Sequence, residues 1–242
     1  MAEASVYLNP VIEYKNITNW ITPLIGREIK PRQFVRRLGS FLNSSHPIRV
    51  KLIEADPEYL EPNDFSIGAE YDPDLDEQHK KQLIINFFIN CPKIKPWLIT
   101  EDIAGRLTLE LVEALVHEYQ HQHQYRSRRY RVLKKDFFSE HEDFEMRSEQ
   151  EYFGNPDEID AYAANIAARL FLQERILNTL VVEELWDTSS LDLRNYIKAF
   201  GIDHTIVQQL LTKIRINLQY LKDVEDGKIR RKNYTRPRIR KS

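Results

Sequence analysis

Two histidines and a glutamate stand at fixed offsets in the segment LTLELVEALVHEYQHQHQY, residues 107–125. His117 and His121 are four residues apart, so on a helix both side chains project from one face, with Cβ atoms about 5–6 Å apart. Imidazole nitrogens bind Zn²⁺ at about 2.0–2.1 Å, so the pair could hold one ion. Glu118 would lie beside that ion and could take a proton from a water molecule there. The residues therefore predict a zinc site with hydrolytic chemistry.

The same segment has the spacing of a helix, because apolar residues recur every three or four positions and neither proline nor glycine interrupts them. Its H-E-x-x-H motif resembles the zincin metallopeptidases. The resemblance implies an α+β fold in which a small mixed N-terminal sheet packs on the His-bearing helix, and zinc-dependent hydrolysis of a peptide bond with Glu118 as general base. In zincins an edge strand of the sheet commonly binds the substrate in extended form. The polar residues Gln120, Gln122, His123 and Gln124 leave open a simpler alternative, a solvated, His-rich helix end.

A catalytic zinc ion has three protein ligands and one open position, so a third ligand is needed. The segment GNPDEIDAYA, residues 154–163, is typical of a helix start with Asn155 as the N-cap. It also resembles the gluzincins, whose third ligand is the glutamate of an E-x-x-A sequence on a downstream helix, which implies Glu158 as the ligand. Tyr162 stands where Asp or Asn is usual in that family. Tyr162 could orient a ligand or donate a hydrogen bond to an oxyanion, as a further catalytic residue.

Other assignments of these residues stay open. Glu158 is three residues after Asn155, so it could instead be the reciprocal partner in a capping box. Asp160 is the next candidate for the third ligand, and His123 or His141 would complete a site of three histidines.

The elements around the motif predict how it is positioned. A helix is predicted from Pro31, and alternating or apolar runs predict strands at 48–54, 65–71 and 82–89, the last of them central because it is the most apolar. A helix start is predicted at Thr100. We expect one domain over 1–226, with the sheet at about 46–92, the metal-site helices at about 101–178 and a helical part at 179–226. Nothing in 174–225 suggests chemistry.

Composition sets broad limits on the class of protein. The chain has 242 residues, 42% of them hydrophobic, enough for one sizeable core. The single cysteine, Cys91, excludes an internal disulfide framework. We find no signal peptide at the N-terminus and no apolar run of about 18 residues, so we expect neither export by that route nor a membrane partner.

Charge is unevenly distributed along the chain. A basic block at 126–135 precedes an acidic block at 136–151, which predicts two solvated segments held together by opposite charge, with a nucleic-acid patch as the second interpretation. Residues 227–242 contain eight Lys or Arg and no acid. This tail is predicted to be either a disordered end or an arm that binds nucleic acid or an acidic protein surface.

The combination of HEYQHQHQYRSR with NPDEIDAYAANIA is similar to metallopeptidase-like proteins encoded by tailed bacteriophages. That resemblance implies a location in the cytoplasm of an infected bacterium or in the virion. The leading interpretation is a zinc metallopeptidase acting on a peptide or protein. The alternatives are a zincin-derived structural or interaction protein without turnover, for example a virion component that contacts phage structural proteins, and a nucleic-acid-binding protein that uses the basic tail.

Overall fold

The structure, a computed structural model, describes residues 8–54, 60, 64–90, 95–131, 137–177 and 191–228. In order, the chain forms α1 (Pro10–Ile21), β1 (Glu28–Ile29), α2 (Pro31–Asn43), β2 (Ile48–Glu54), β3 (Phe65–Tyr71), α3 (Pro73–Glu77), β4 (Leu83–Ile89), β5 (Trp97–Leu98), α4 (Glu101–Ser127), α5 (Phe144–Phe153), α6 (Pro156–Leu177), α7 (Leu191–Phe200) and α8 (Thr205–Glu225). Helices with small sheets make this an α+β protein, as predicted. The predicted basic arm lies outside the described residues beyond Lys228.

β2, β3 and β4 form one mixed sheet in the order β2-β4-β3. β2 runs parallel to β4, and β3 runs antiparallel to it, with Ala69 opposite Ile85. The prediction that the third strand is central is confirmed, because β4 has a neighbour on each side and Leu83, Ile85 and Phe87 are fully buried. β3 is therefore an edge strand of this sheet. A second, two-stranded sheet pairs β1 with β5.

The His-bearing helix is α4, which is 27 residues long and so about 40 Å from end to end. The hydroxyl of Thr100 accepts a hydrogen bond from the N–H of Ile103, so the predicted N-cap is confirmed. Gly105 lies inside the helix. Leu107, Leu111 and Leu115 are fully buried in the core formed with α1, α2 and the sheet, and this packing holds α4 against the sheet.

α6 lies between two apolar clusters. Ala164 and Ala168 belong to the core that contains α4 and the sheet, whereas Ala163 and Ala167 pack with α7 and α8. Because alanine side chains are short, neighbouring helices can approach α6 closely on both sides. This position brings the first turns of α6 beside the C-terminal half of α4.

Within the part of the chain that the structure describes, no helix has the length and apolar character needed to cross a membrane.

Candidate metal centre

The two histidines of the motif point toward each other on α4. Nε2 of His117 lies 3.0 Å from Nε2 of His121, and the two rings are nearly perpendicular. Both side chains are mostly shielded from solvent, at 11% and 12% exposed. The helical spacing therefore produces the pairing that the sequence predicted.

Glu158, in the first turn of α6, meets this pair from the facing helix. Its Oε2 lies 3.5 Å from Nε2 of His117, and its Oε1 lies 3.4 Å from Nε2 of His121. The side chain of Asn155 accepts a hydrogen bond from the N–H of Asp157, as predicted for an N-cap. The carboxylate of Glu158 faces the histidines, so the capping-box alternative is wrong.

The donor atoms of His117, His121 and Glu158 lie close enough together to hold one cation. One ligand atom of each residue lies within 4.8 Å of those of the other two. The two imidazole Nε2 atoms are 3.0 Å apart, and they lie 3.5 and 3.4 Å from different oxygens of the Glu158 carboxylate. Over the described ranges these residues form the only group of three or more His, Cys, Asp or Glu side chains with the spacing of metal ligands. Two imidazoles and a carboxylate with an open fourth position are a donor set that zinc accepts.

Charge couples the three groups strongly. Burial raises the pKa of Glu158, but hydrogen bonds from His117 and His121 outweigh burial and lower it to about 2. Burial lowers the pKa of His121, but its hydrogen bond to Glu158 and the negative charge there outweigh burial and raise it to about 9. Without a metal, the group therefore holds an ionised carboxylate against a protonated imidazole, and a cation would take the place of that proton.

The polar residues around the histidines are buried. Gln120, Gln122 and Gln124 are 3%, 1% and 9% exposed. The alternative of a solvated helix end is therefore wrong. The sequence suggested a solvated helix end because glutamine is usually a surface residue. Here the three glutamine side chains are buried, and that of Gln124 donates a hydrogen bond to the carbonyl of Asp157 on α6.

Glu118 lies beside the group, and its side chain lines the same cavity as both histidines. It is 5% exposed. Burial raises its pKa above the usual range, although the neighbouring histidines lower it. A buried carboxylate with a raised pKa accepts a proton more readily than an exposed one, which suits a general base.

Tyr162 lies one helical turn after Glu158 and covers His117. The two ring centroids are 4.6 Å apart, edge to face. The hydroxyl of Tyr162 lies 3.4 Å from the hydroxyl of Tyr152 on α5, and both residues line the cavity. Burial raises the pKa of Tyr162, so its hydroxyl stays protonated and can donate a hydrogen bond. Tyr152 was not predicted as a site residue. It lies on α5, between the H-E-x-x-H motif and the segment 154–163, and nothing in the sequence of α5 suggests a site.

The other candidate ligands lie elsewhere. Asp160 forms an ion pair with Lys213 of α8. His123 is exposed on a different side of α4 from His121, about 200° around the helix. His141 is exposed near the start of α5, where its Nδ1 accepts a hydrogen bond from the N–H of Asp143. None of the three joins the group at His117.

The candidate metal centre opens into a cavity of about 560 Å³. One wall is the edge strand β3, from Ser66 to Tyr71, and the opposite wall is α6. Asp72 donates its N–H to Gln82, and the carbonyl of Asp64 accepts from Asn90, so the even-numbered residues face β4. The main-chain groups of the odd-numbered residues, including Ile67 and Ala69, therefore point away from β4.

The other polar residues that line this cavity include several that were not predicted as site residues: Glu110, Glu113, Asn165, Arg169 and Asp192. Four of them could have been found from helical spacing, since Glu110 and Glu113 precede His117 by seven and four residues, and Asn165 and Arg169 follow Glu158 by seven and eleven. The prediction that nothing in 174–225 suggests chemistry missed Asp192, which lines the cavity. It belongs to α7, and no local signal marks it.

Comparisons of the chain with protein-family models, with curated proteins and with solved structures find no match. The resemblance to zincins and to phage-encoded proteins therefore stays a prediction from the sequence motifs.

Proposed function

We propose that the protein is a zinc-dependent metallopeptidase in which His117, His121 and Glu158 hold the metal. The proposal rests on one observation, the convergence of these three side chains from two helices, with ligand atoms within 4.8 Å of one another, in a cavity that Glu118 also lines. A zinc ion, when bound, supplies Lewis-acid chemistry and makes water a nucleophile near neutral pH.

Proton transfer and stabilisation of the oxyanion would be carried out by residues of the chain. Glu118 would take a proton from the attacking water and pass it to the leaving amine, a role that its burial and raised pKa favour. The ring of Tyr162 packs against His117, and its hydroxyl could donate a hydrogen bond to the oxyanion that develops on the substrate carbonyl.

The edge strand supports a peptide as the substrate. The main-chain groups of β3 that point away from β4 border the cavity. An extended peptide can pair with such an edge through its own backbone and so present a peptide bond to the metal. The same geometry argues for a polypeptide over a small molecule.

The test is the substitution Glu118→Gln in the zinc-loaded, full-length protein. A carboxamide cannot act as a base, so we expect peptide hydrolysis to fall by about 10²–10⁴-fold while zinc content stays at that of the wild type. The readouts are cleavage of a peptide library, followed by mass spectrometry, and elemental analysis of the metal. Unchanged hydrolysis in Glu118→Gln would remove the role of Glu118. A wild-type protein that binds zinc but cleaves no peptide would favour the structural or interaction protein instead.

A further inference from the structure

One end of the cavity has a chemistry that the proposed reaction does not use. We define the acidic pocket as the end formed by Glu110, Glu113, Asn165, Arg169 and Asp192. It lies toward the N-terminus of α4, one to two turns before His117. It opens into the same space as the candidate metal centre, so a group bound there would belong to a substrate lying across the metal.

Negative charge exceeds positive charge in the acidic pocket. Nη1 of Arg169 donates to both carboxylate oxygens of Glu113, at 3.0 and 3.1 Å, so this pair is neutral overall. Glu110 lies 3.7 Å from Arg106 and also accepts a hydrogen bond from the backbone of Ile67. Arg106 is hydrogen-bonded at 2.9 Å to Asp64. Asp192 receives one hydrogen bond, from the amide nitrogen of Asn165 at 3.2 Å.

One buried acceptor in the wall of this space has no partner within the described chain. Asn165 is 5% exposed, and its Oδ1 has no hydrogen-bond partner among the described residues. The orientation of the amide is fixed, because its nitrogen is the atom that can donate to the carboxylate of Asp192. A buried acceptor without a donor is costly, so Asn165 favours a ligand that donates. Nε of Arg169 is also buried without a partner among the described residues.

The carboxyl groups of the acidic pocket have raised pKa values, as expected where carboxylates are buried with too few cations beside them. Burial, together with the negative charge of Asp192, raises the pKa of Glu113 to about 8 against the opposing effect of Arg169. Burial likewise raises the pKa of Glu110 to about 7. A cation entering the pocket would relieve this repulsion and meet a set of oxygen acceptors.

We propose that the acidic pocket binds a positively charged, hydrogen-bond-donating group of the substrate beside the scissile bond. This inference rests on the proposed function and names its substrate class, a peptide with a lysine-like or arginine-like side chain next to the bond that is cleaved. The α-ammonium of a peptide N-terminus has the same chemistry and is the second possible source of the charge.

Binding of metal-anchored probes tests the proposal without requiring turnover. Succinyl hydroxamates carry lysine, norleucine or glutamate amide on one side of the anchor, and N-acetyl amino-acid hydroxamates carry the same side chains on the other. Zinc-loaded, full-length protein is titrated with each probe. We expect the lysine probe of one series to bind about tenfold or more tighter than its norleucine counterpart, and the glutamate probe to bind weakest.

Variants assign the preference to the pocket. Asp192→Asn keeps an acceptor for Asn165 but removes a charge, so it should reduce the lysine preference severalfold and leave norleucine binding unchanged. Glu113→Gln frees Arg169 and should shift the preference toward the glutamate probe. Glu28→Gln removes one exposed charge from β1, outside the cavity, and should change nothing.

The outcomes separate this inference from the proposed function. Equal binding of the three side chains, or tightest binding of norleucine, overturns the acidic pocket and leaves the metallopeptidase intact. If no hydroxamate binds the zinc-treated protein, both fall together. Leucine hydroxamate binding tighter than N-acetyl-leucine hydroxamate, with the difference lost in Asp192→Asn, supports the pocket with the N-terminal amine as its ligand.

Discussion

Gln124 orients His121 from one helical turn away. Its Oε1 lies 2.9 Å from Nδ1 of His121, and its amide nitrogen donates to the carbonyl of Asp157 at 3.0 Å. The second bond fixes which end of the amide faces the histidine, so Oε1 must accept and Nδ1 must carry the proton. Nε2 of His121, the atom nearest Glu158, is therefore the nitrogen whose lone pair is free for a metal.

Replacing Gln124 should weaken metal binding without touching a ligand. In Gln124→Met the proton of His121 is no longer held on Nδ1, so we expect zinc affinity to fall by about 10–100-fold. Gln124→Glu keeps the acceptor and should retain most of the affinity. Competition with a chromogenic chelator measures both. Wild-type affinity in Gln124→Met would show that the amide does not position the ligand.

The zinc content of purified variants distinguishes the three proposed ligands from the nearby carboxylate of Asp160. His117→Ala and Glu158→Ala each remove one donor of the group, and we expect the purified proteins to lose stoichiometric zinc. Asp160→Asn is the matched control, two residues from Glu158 on the same helix, because its side chain faces Lys213. A full equivalent of zinc in Glu158→Ala would remove the third ligand from the proposal.

The strands and the helix starts could be predicted because their signals are local. Alternating or apolar runs marked β2, β3 and β4 to within a residue, and the helix beginning at Pro31 has the start that the sequence indicates. The convergence of His117 with His121 follows from helical spacing alone. Glu158 needed the resemblance to gluzincins in addition, because spacing within one helix says nothing about a partner on another.

Partner choices between distant segments could not be predicted. The basic block was expected to pair with the acidic block that follows it, yet Arg126 pairs with Asp76 and Arg128 with Asp157, one before and one after. Asp192 likewise lines the cavity from α7, a helix that is distant in sequence from the motif. Which carboxylate a cation meets is decided by packing of helices and turns, and sequence proximity does not report that packing.

The edge strand makes a prediction about substrate binding that does not involve the metal ligands. Ala69→Pro removes an N–H that points away from β4, a position where an edge strand accepts proline. We expect kcat/KM for peptides to fall by about tenfold, because one backbone hydrogen bond to the substrate is lost, while unfolding temperature and zinc content stay unchanged. Ala69→Ser keeps the N–H and serves as the control. A correctly folded Ala69→Pro protein with wild-type kcat/KM would mean that the substrate does not pair at this point.

Asp76 links the short helix α3 to the end of α4, and its contribution to stability should depend on pH. Its buried carboxylate accepts from Nε of Arg126 at 2.7 Å and from the hydroxyls of Tyr71 and Tyr130 at 2.7 and 3.0 Å. Burial raises the pKa of Asp76, but these hydrogen bonds outweigh burial and hold it below the usual value.

A lowered pKa in the folded state means that the stabilisation by Asp76 is complete above the unfolded pKa of about 4 and is lost as pH falls through the folded pKa. We expect Asp76→Asn to lower the free energy of unfolding by about 2 kcal/mol at pH 7, since an amide oxygen cannot serve all of these donors. The difference from the wild type should shrink below about pH 4. Urea unfolding of both proteins between neutral and acid pH measures this difference in the free energy of unfolding. A difference that stays constant at acid pH would show that the charge of Asp76 does not stabilise the contact between α3 and α4.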